Sequence, residues 1–594
     1  MKRKNVIALL ITAALLGSAF TGCSSKNTAS ATGAVNGKDT VSERETSANG
    51  TADVSSVSES DTATADYSGD KGDYYDYEEA YDNSYSDALT GSACESEGLS
   101  MYDTADSAFL FPYYPDYPTG DWNTESYEKP DESGYCLVQN QPLSTFAADV
   151  DTASYANIRR MIENGYSLSD IPSDAVRPEE FINYFSYNLN KPGRGDKFGI
   201  TTEIAECPWN ADHELLFVGM TTQDLDLREA PENNLVFLID VSGSMSDDNK
   251  LPLLQKSFDA LVDELPEKGT VSIVTYASGE TVVLSGESMK NKDEIKEAID
   301  SLTASGATNG ERGIQKAYEI AEKYFVKGGN NRVIMATDGD LNVGISDPDE
   351  LEDFISEKKE GGVFLSVLGF GMGNYKDDRL ERLADCGNGN YSYIDSFFEA
   401  KKVLVDEMGS TLVTVAKDVK MQVEFNPSYV NGYRLIGYEN RVMEATDFND
   451  DSKDGGEIGA GHSVVALYEI IPSGSKDAIE LRYQTGKTSD EKIEDNKQYA
   501  DEIAMVKVRY KEPEKDDSKL EEHPVIYADS YSNNPSKDME FAGVVAEFAM
   551  ILGRSEHLGS ADIETVMEDC KDLSGIDEYR DEFIQLVRMI AKRS

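Results

Sequence analysis

The run Leu235 to Met245, LVFLIDVSGSM, constrains this chain more than any other stretch. Five apolar residues lead without interruption into Asp240, the pattern of a short strand buried on both faces. Such a strand needs a layer packed on each side, which makes the surrounding domain an α/β one. Ser242 and Ser244 follow Asp240 at intervals of two, and a tight turn at Gly243 lets both hydroxyls point the same way. The three oxygens then converge at the carboxyl end of the strand, where open α/β sheets bind their ligands. Hydroxyls beside a carboxylate suit a hard divalent cation, Mg2+ first, with Mn2+ or Ca2+ as alternatives.

The neighbouring sequence agrees. Between residues 231 and 414 the strand-like runs LVFLID, VSIVTY, TVVLS, RVIMATD, VFLSVLG and YSYID alternate with amphipathic helical patterns, ending in SFFEAKKVLVDEMGSTL. This alternation predicts a doubly wound, mostly parallel sheet, with TVVLS as an antiparallel edge. Residues 415–535 change to a period of two, as in VKMQVEFN and HSVVALYEI, which predicts an antiparallel sandwich. Residues 536–594 turn helical. Before the α/β segment, residues 136–230 hold a helical run with Thr152 or Ser154 placed to cap it, and then two strands. Two strands cannot bury a sheet alone, so those near 198–220 are expected to join 419–510 in one β-rich body interrupted by the α/β domain.

Two further oxygen donors fall in the same set of loops. SGATNGERG puts Thr308 in a glycine-flanked loop before a helix, and RVIMATDGD ends a buried run in Asp338. With Asp240, Ser242 and Ser244 they form an ordered pattern that resembles the metal-ion-dependent adhesion site of the von Willebrand factor type A domain family. The resemblance spans the whole α/β segment. It implies that the serines and the threonine reach the metal, and that the aspartates act directly or through water. If most direct ligands are neutral, the ion keeps enough positive charge to attract a carboxylate from a protein partner. The flanks PLSTFAADVDTASYANIRR, RPEEFINYF, LIGYENR and VKVRYKEP resemble the segments that surround this domain in a set of bacterial lipoproteins.

Charge and targeting signals bear on location. The 594-residue chain carries 111 acidic and 55 basic residues, a net charge of -56, which opposes nucleic-acid binding by bulk electrostatics. Residues 1–22 have a basic start and an apolar core, as a secretory signal does. Their Phe-Thr-Gly-Cys ending resembles the lipobox of bacterial lipoproteins, implying lipidation at Cys23 and attachment to the extracytoplasmic face of the cell membrane. Residues 23–135 are rich in Ser, Asp and Tyr and poor in aliphatic side chains until Phe109, which predicts a disordered acidic tether.

Other motifs carry less. GFGMGN, with Asp395 on the next strand end, departs from a dinucleotide fingerprint at Asn374. DFNDDSKDGGE has Ser452 and Ile458 where a calcium loop needs glycine and glutamate. Asp149 and Asp151 read as helix caps, and the scattered cysteines as free thiols. The four histidines form no HExxH and no serine lies in GxSxG, so the chain is expected not to be an enzyme. The strongest rival is a scaffold that makes its contacts through the β-rich body or the helical tail, where FAGVVAEFAMILG is apolar enough to meet a partner helix.

Overall fold

The structure is a computed structural model that describes residues 125, 127, 131–148, 151–225, 230–308, 310–339, 348–372, 377–479, 499–513 and 515–593. The signal segment, Cys23, nearly all of the tether, Asp149 and Asn374 lie outside the described residues. No described helix is long and apolar enough to cross a membrane.

The chain opens with β1 (Cys136–Leu137) and β2 (Leu143–Ala147), followed by helices α1 (Ala153–Glu163) and α2 (Pro178–Asn183) and a hairpin of β3 (Phe198–Cys207) and β4 (Asn210–Thr222). The cap of α1 differs from expectation. Thr152 makes no capping bond, and Ser154 sits inside the helix with its hydroxyl donating to the Ala175 carbonyl at 2.6 Å. The buried helix start is satisfied instead by Glu180 of α2, whose carboxylate accepts from the Ser154 N–H at 2.8 Å. Asp151 is no cap either: it accepts from the Tyr391 N–H at 2.9 Å and pairs with Arg441 at 3.0 Å.

The α/β domain contains β5 (Asn233–Asp240), β6 (Gly269–Tyr276), β7 (Glu280–Ser288), β8 (Asn330–Thr337), β9 (Phe364–Phe370) and β10 (Tyr391–Ile394), in the order β10-β9-β8-β5-β6-β7. All pairs are parallel except the β6–β7 edge. Its longer helices are α3 (Leu251–Glu264), α4 (Lys292–Asp300), α5 (Gly310–Lys323), α6 (Pro348–Glu360) and α7 (Asp377–Cys386). Every residue of β5 is buried: Leu235, Phe237 and Ile239 face one helical layer, and Val236 and Leu238 face the other. The run expected as one helix after β10 is broken into 397–401, a π-turn over 402–406, and 408–412. Burial of Lys402 accompanies the break: its ammonium lies over the Tyr184 ring, 4.6 Å from the centroid, and pairs with Glu407.

The later strands are β11 (Thr414–Phe425), β12 (Val430–Leu435), β13 (Gly456–Gly459), β14 (Ser463–Pro472), β15 (Glu502–Lys511) and β16 (Ser518–Ile526). They combine with the N-terminal strands into two sheets, one ordered β1-β12-β14-β4-β3 and the other built on β13, β11, β15 and β16 with β2 also on β11. Strands before and after the α/β domain therefore share both sheets, as the sandwich expectation requires. Leu216, Val218, Val464 and Ala466 meet Met421, Val423 and Val506 between the sheets. The opposite face of β4 and β14 (Leu215, Phe217, Val465, Leu467) is covered by α1, α2 and the C-terminal helices. β14 therefore departs from the expected period of two: it is buried on both faces, and from Val464 to Tyr468 its residues are apolar without alternation.

The helix Lys537–Gly553, which contains FAGVVAEFAMILG, is buried over most of its surface in that same helical layer. Its apolar surface is core, so it offers no free face to a partner helix.

Two buried ion networks tie the α/β domain to this body. Arg159 of α1 pairs with Asp395 at 2.6 Å, Glu399 at 2.7 Å and Glu582 at 3.2 Å, and donates to the Tyr184 hydroxyl at 2.8 Å. Arg177 pairs with Asp377 at 3.0 Å and Glu381 at 2.9 Å, both on α7. Arginine suits these positions because its planar fork serves several carboxylates at once.

Candidate metal centre

The order of the sheet creates the site. From β5 the chain crosses to β6 on one side and later returns to β8 on the other, so the ends of β5 and β8 diverge and leave a crevice. Asp240 ends β5, fully buried, and Asp338 immediately follows β8, 5% exposed.

Asp240 shapes the turn after it. One carboxylate oxygen accepts from the Ser242 N–H at 2.8 Å, and the other lies 3.4 Å from the Thr337 hydroxyl. The loop that carries Thr308 is fastened to the same turn, since the Gly243 N–H donates to the Gly306 carbonyl at 2.9 Å and the Ser305 N–H to the Val241 carbonyl at 2.7 Å. Gly306 has φ +86°, and a side chain there would collide with the Ser278 hydroxyl, which accepts from the Ala307 N–H. At the start of α5, Gly313 lets the helix lie directly on Tyr276. Asp240, Ser242, Ser244, Thr308 and Asp338 are thereby gathered at one sheet edge, with Thr308 only 8% exposed.

The hydroxyls of Ser242 and Ser244 hydrogen-bond to each other at 3.0 Å. Adjacent ligands of an octahedral ion with bonds of about 2.1 Å are separated by about 3.0 Å, so the pair has the spacing of two neighbouring ligands of Mg2+. Burial pushes the Asp240 carboxyl up to about 6 despite the Ser242 hydrogen bonds, and Asp338 nearby adds to the shift. Among the described residues no basic side chain pairs with Asp240. A cation in the crevice would supply that missing charge. Among the described residues no cluster of three or more His, Cys, Asp or Glu is arranged to hold a metal. The donor set is one of hydroxyls with two carboxylates, which fits a hard cation.

Lys250 is a member of this site that sequence reading missed. It stands at the start of α3, is 8% exposed, and donates to Asp338 at 3.0 Å. Its stem crosses Gly371, where φ is +80° and a side chain would come within 2.3 Å of it. The first part of GFGMGN therefore serves as a passage for Lys250. In sequence Lys250 looks like one more polar loop residue after DVSGSMSDDN, and only the path of β9 brings Gly371 beneath it. Lys250 neutralises Asp338, leaving Asp240 as the carboxylate of the pair without a basic partner among the described residues.

A buried α/β sheet with an oxygen-lined crevice at its switch point defines the von Willebrand factor type A class, whose domains mediate protein–protein interaction. The model of the von Willebrand factor type A domain matches residues 234–407, one described as von Willebrand factor matches 121–217, and one described as the C-terminal part of uncharacterized protein YfbK matches 410–592. Uncharacterized protein YfbK of Escherichia coli K12 is 43% identical over 479 residues, covering 78% of this chain and 81% of that one. The chain belongs to the YfbK family. The inter-alpha-trypsin inhibitor heavy chain H3 of Mesocricetus auratus is 29% identical over 159 residues, 25% of this chain and 18% of that one. Among solved structures, a von Willebrand factor type A protein from Catenulispora acidiphila is 15% identical, with 68% of this chain and 91% of that one covered at a TM-score of 0.38.

Proposed function

We propose that this chain is a lipid-anchored protein of the extracytoplasmic membrane face that binds an acidic group of a protein partner through a divalent cation, Mg2+ by preference. Asp240, Ser242, Ser244, Thr308 and Asp338 are its ligands, directly or through water. The observation that carries the reading is the serine pair 3.0 Å apart beside a buried carboxylate that has no basic partner among the described residues.

When bound, the cation supplies an electrophilic centre for the partner's carboxylate. The chain's own residues do the rest. Asp240 fixes the turn that presents both serine hydroxyls. Lys250 holds Asp338 and cancels its charge. With two of the hydroxyl donors on one turn and only Asp240 unneutralised, the site stays short of negative charge and attracts an anion. The crevice's hydroxyls and carboxylates are taken up in holding the cation, so the reading is of a binding protein and not an enzyme. Capture of protein from surface extracts should be strong in Mg2+ and lost in EDTA; capture that persists in EDTA would favour a scaffold acting through the β-rich body.

Two further outcomes follow. Lys250→Met removes a cation from beside the site, so Mg2+ and Mn2+ should bind on the order of tenfold more tightly by calorimetry. Unchanged affinity would mean that the ion pair with Asp338 is remote from the metal. Cells given a labelled fatty acid should incorporate it into the parent chain and not into Cys23→Ser, which should leave the membrane fraction.

A further inference from the structure

At the opposite edge of the α/β sheet, a cleft of about 260 Å³ lies between the domain and the β-rich body. Arg332, the third residue of β8, lines it, whereas Asp338 lies past the other end of that strand. Six residue steps along the strand separate the two, about 20 Å.

Arg332 is 3% exposed. One guanidinium nitrogen donates to the Ser366 hydroxyl at 2.6 Å, and the group lies over the Phe364 ring at 5.6 Å. Its Nε has no hydrogen-bond partner, and among the described residues no carboxylate is within ion-pair distance. A buried arginine without an anion is costly, and burial draws its pKa down to about 10.

Glu457 of β13 lines the same cleft, its carboxyl accepting from Asn388 at 2.8 Å. Burial, followed by the charges of Asp418 and Asp454, pushes that carboxyl up to about 8, so it gives up its proton when a further cation comes to rest beside it. The other charges of the lining already have partners within the protein. Asp454 holds Lys359 at 2.7 Å, and Arg441 holds Asp151 at 3.0 Å and Asp385 at 3.1 Å. Arg332 and Glu457 thus border one space and attract each other across it, but among the described residues they do not close to an ion pair. Val442, 55% exposed, stands at the mouth and leaves the cleft open to solvent.

We propose that this cleft binds a small zwitterion of the amino-acid class, its carboxylate on Arg332 and its ammonium group on Glu457. A simple anion would satisfy Arg332 but would meet four carboxylates in the lining, and a simple cation would leave Arg332 unpaired. The volume holds a molecule of a few carbons together with one or two waters, each taking about 30 Å³. Such a ligand touches the α/β domain through Arg332 and Asn388 and the body through Glu457, so it bridges the two.

Calorimetry on the full chain with glycine, β-alanine and γ-aminobutyrate, beside acetate and methylammonium, tests this. At least one zwitterion should bind about tenfold or more tightly than either single-charge probe. Arg332→Met and Glu457→Gln should each weaken that binding by about tenfold or more. Arg332→Lys, which keeps the charge but not the fork, should weaken it less, and provides a second variant should the methionine fail to fold. Absence of zwitterion binding to the parent chain, acetate binding as tightly as any zwitterion, or full binding by Glu457→Gln would each overturn the proposal.

Discussion

Asp240→Asn should abolish divalent-cation uptake and yet leave the metal-free protein more stable than its parent at pH 7. Burial lifts the Asp240 carboxyl from 3.8 to about 6 in the folded chain, so the folded state binds that proton more tightly than the unfolded chain does. The resulting contribution favours folding fully below about pH 4 and is lost as pH rises through about 6. Asparagine stays neutral and does not lose it, which gives the variant an advantage of about 2–3 kcal/mol at pH 7 that vanishes near pH 4. Saturating Mg2+ should reverse the order, because only the parent gains from binding. Thermal unfolding of both chains at pH 4 and 7, with and without Mg2+, checks all four differences between them. A parent that is the more stable in EDTA at pH 7 would show that Asp240 is a structural acid satisfied by the fold itself.

The second large effect lies far from the crevice. Arg159→Met should destabilise the chain by about 3–5 kcal/mol, because it leaves Asp395, Glu399 and Glu582 clustered without their shared cation. These partners come from the α/β domain and the last helix, while Arg159 belongs to α1. The variant should therefore loosen the attachment of the α/β domain before the domain itself melts. Denaturant unfolding followed separately by limited proteolysis and circular dichroism would show one transition in the parent and two in the variant. A loss below about 1 kcal/mol would mean that the network is solvated and contributes little.

The contrast between these sites marks what can be read from sequence. The α/β architecture was legible because LVFLID and RVIMATD are apolar without interruption and alternate with amphipathic helices, a pattern set by local burial. The common edge shared by Asp240, Ser242, Ser244, Thr308 and Asp338 was legible for the same reason, since each follows directly from a strand or precedes a helix. The union of β3 and β4 with β12 and β14 was also within reach, because two strands cannot bury a sheet. What sequence did not show depends on partners that only the fold brings together, from 26 residues apart upward. Glu180 replaces Thr152 or Ser154 at the start of α1 only because α2 folds back on it. Lys402 turns inward and breaks a helical pattern because Tyr184 offers its ring from another segment. Lys250 needs Gly371 beneath it, and no local period connects the two. The apolar helix 537–553 could have met a partner or its own core, and composition alone does not separate those cases.

The central claim is that one turn, one loop and one strand end hold a single cation that still lacks an anion. Crystals soaked with Mn2+ and a short acidic peptide test it most directly through anomalous scattering. The account predicts one strong peak within about 2.3 Å of the Ser242 and Ser244 hydroxyls, with a peptide carboxylate in its coordination sphere. A peak elsewhere, or none at that turn while Mn2+ binds in solution, would contradict it.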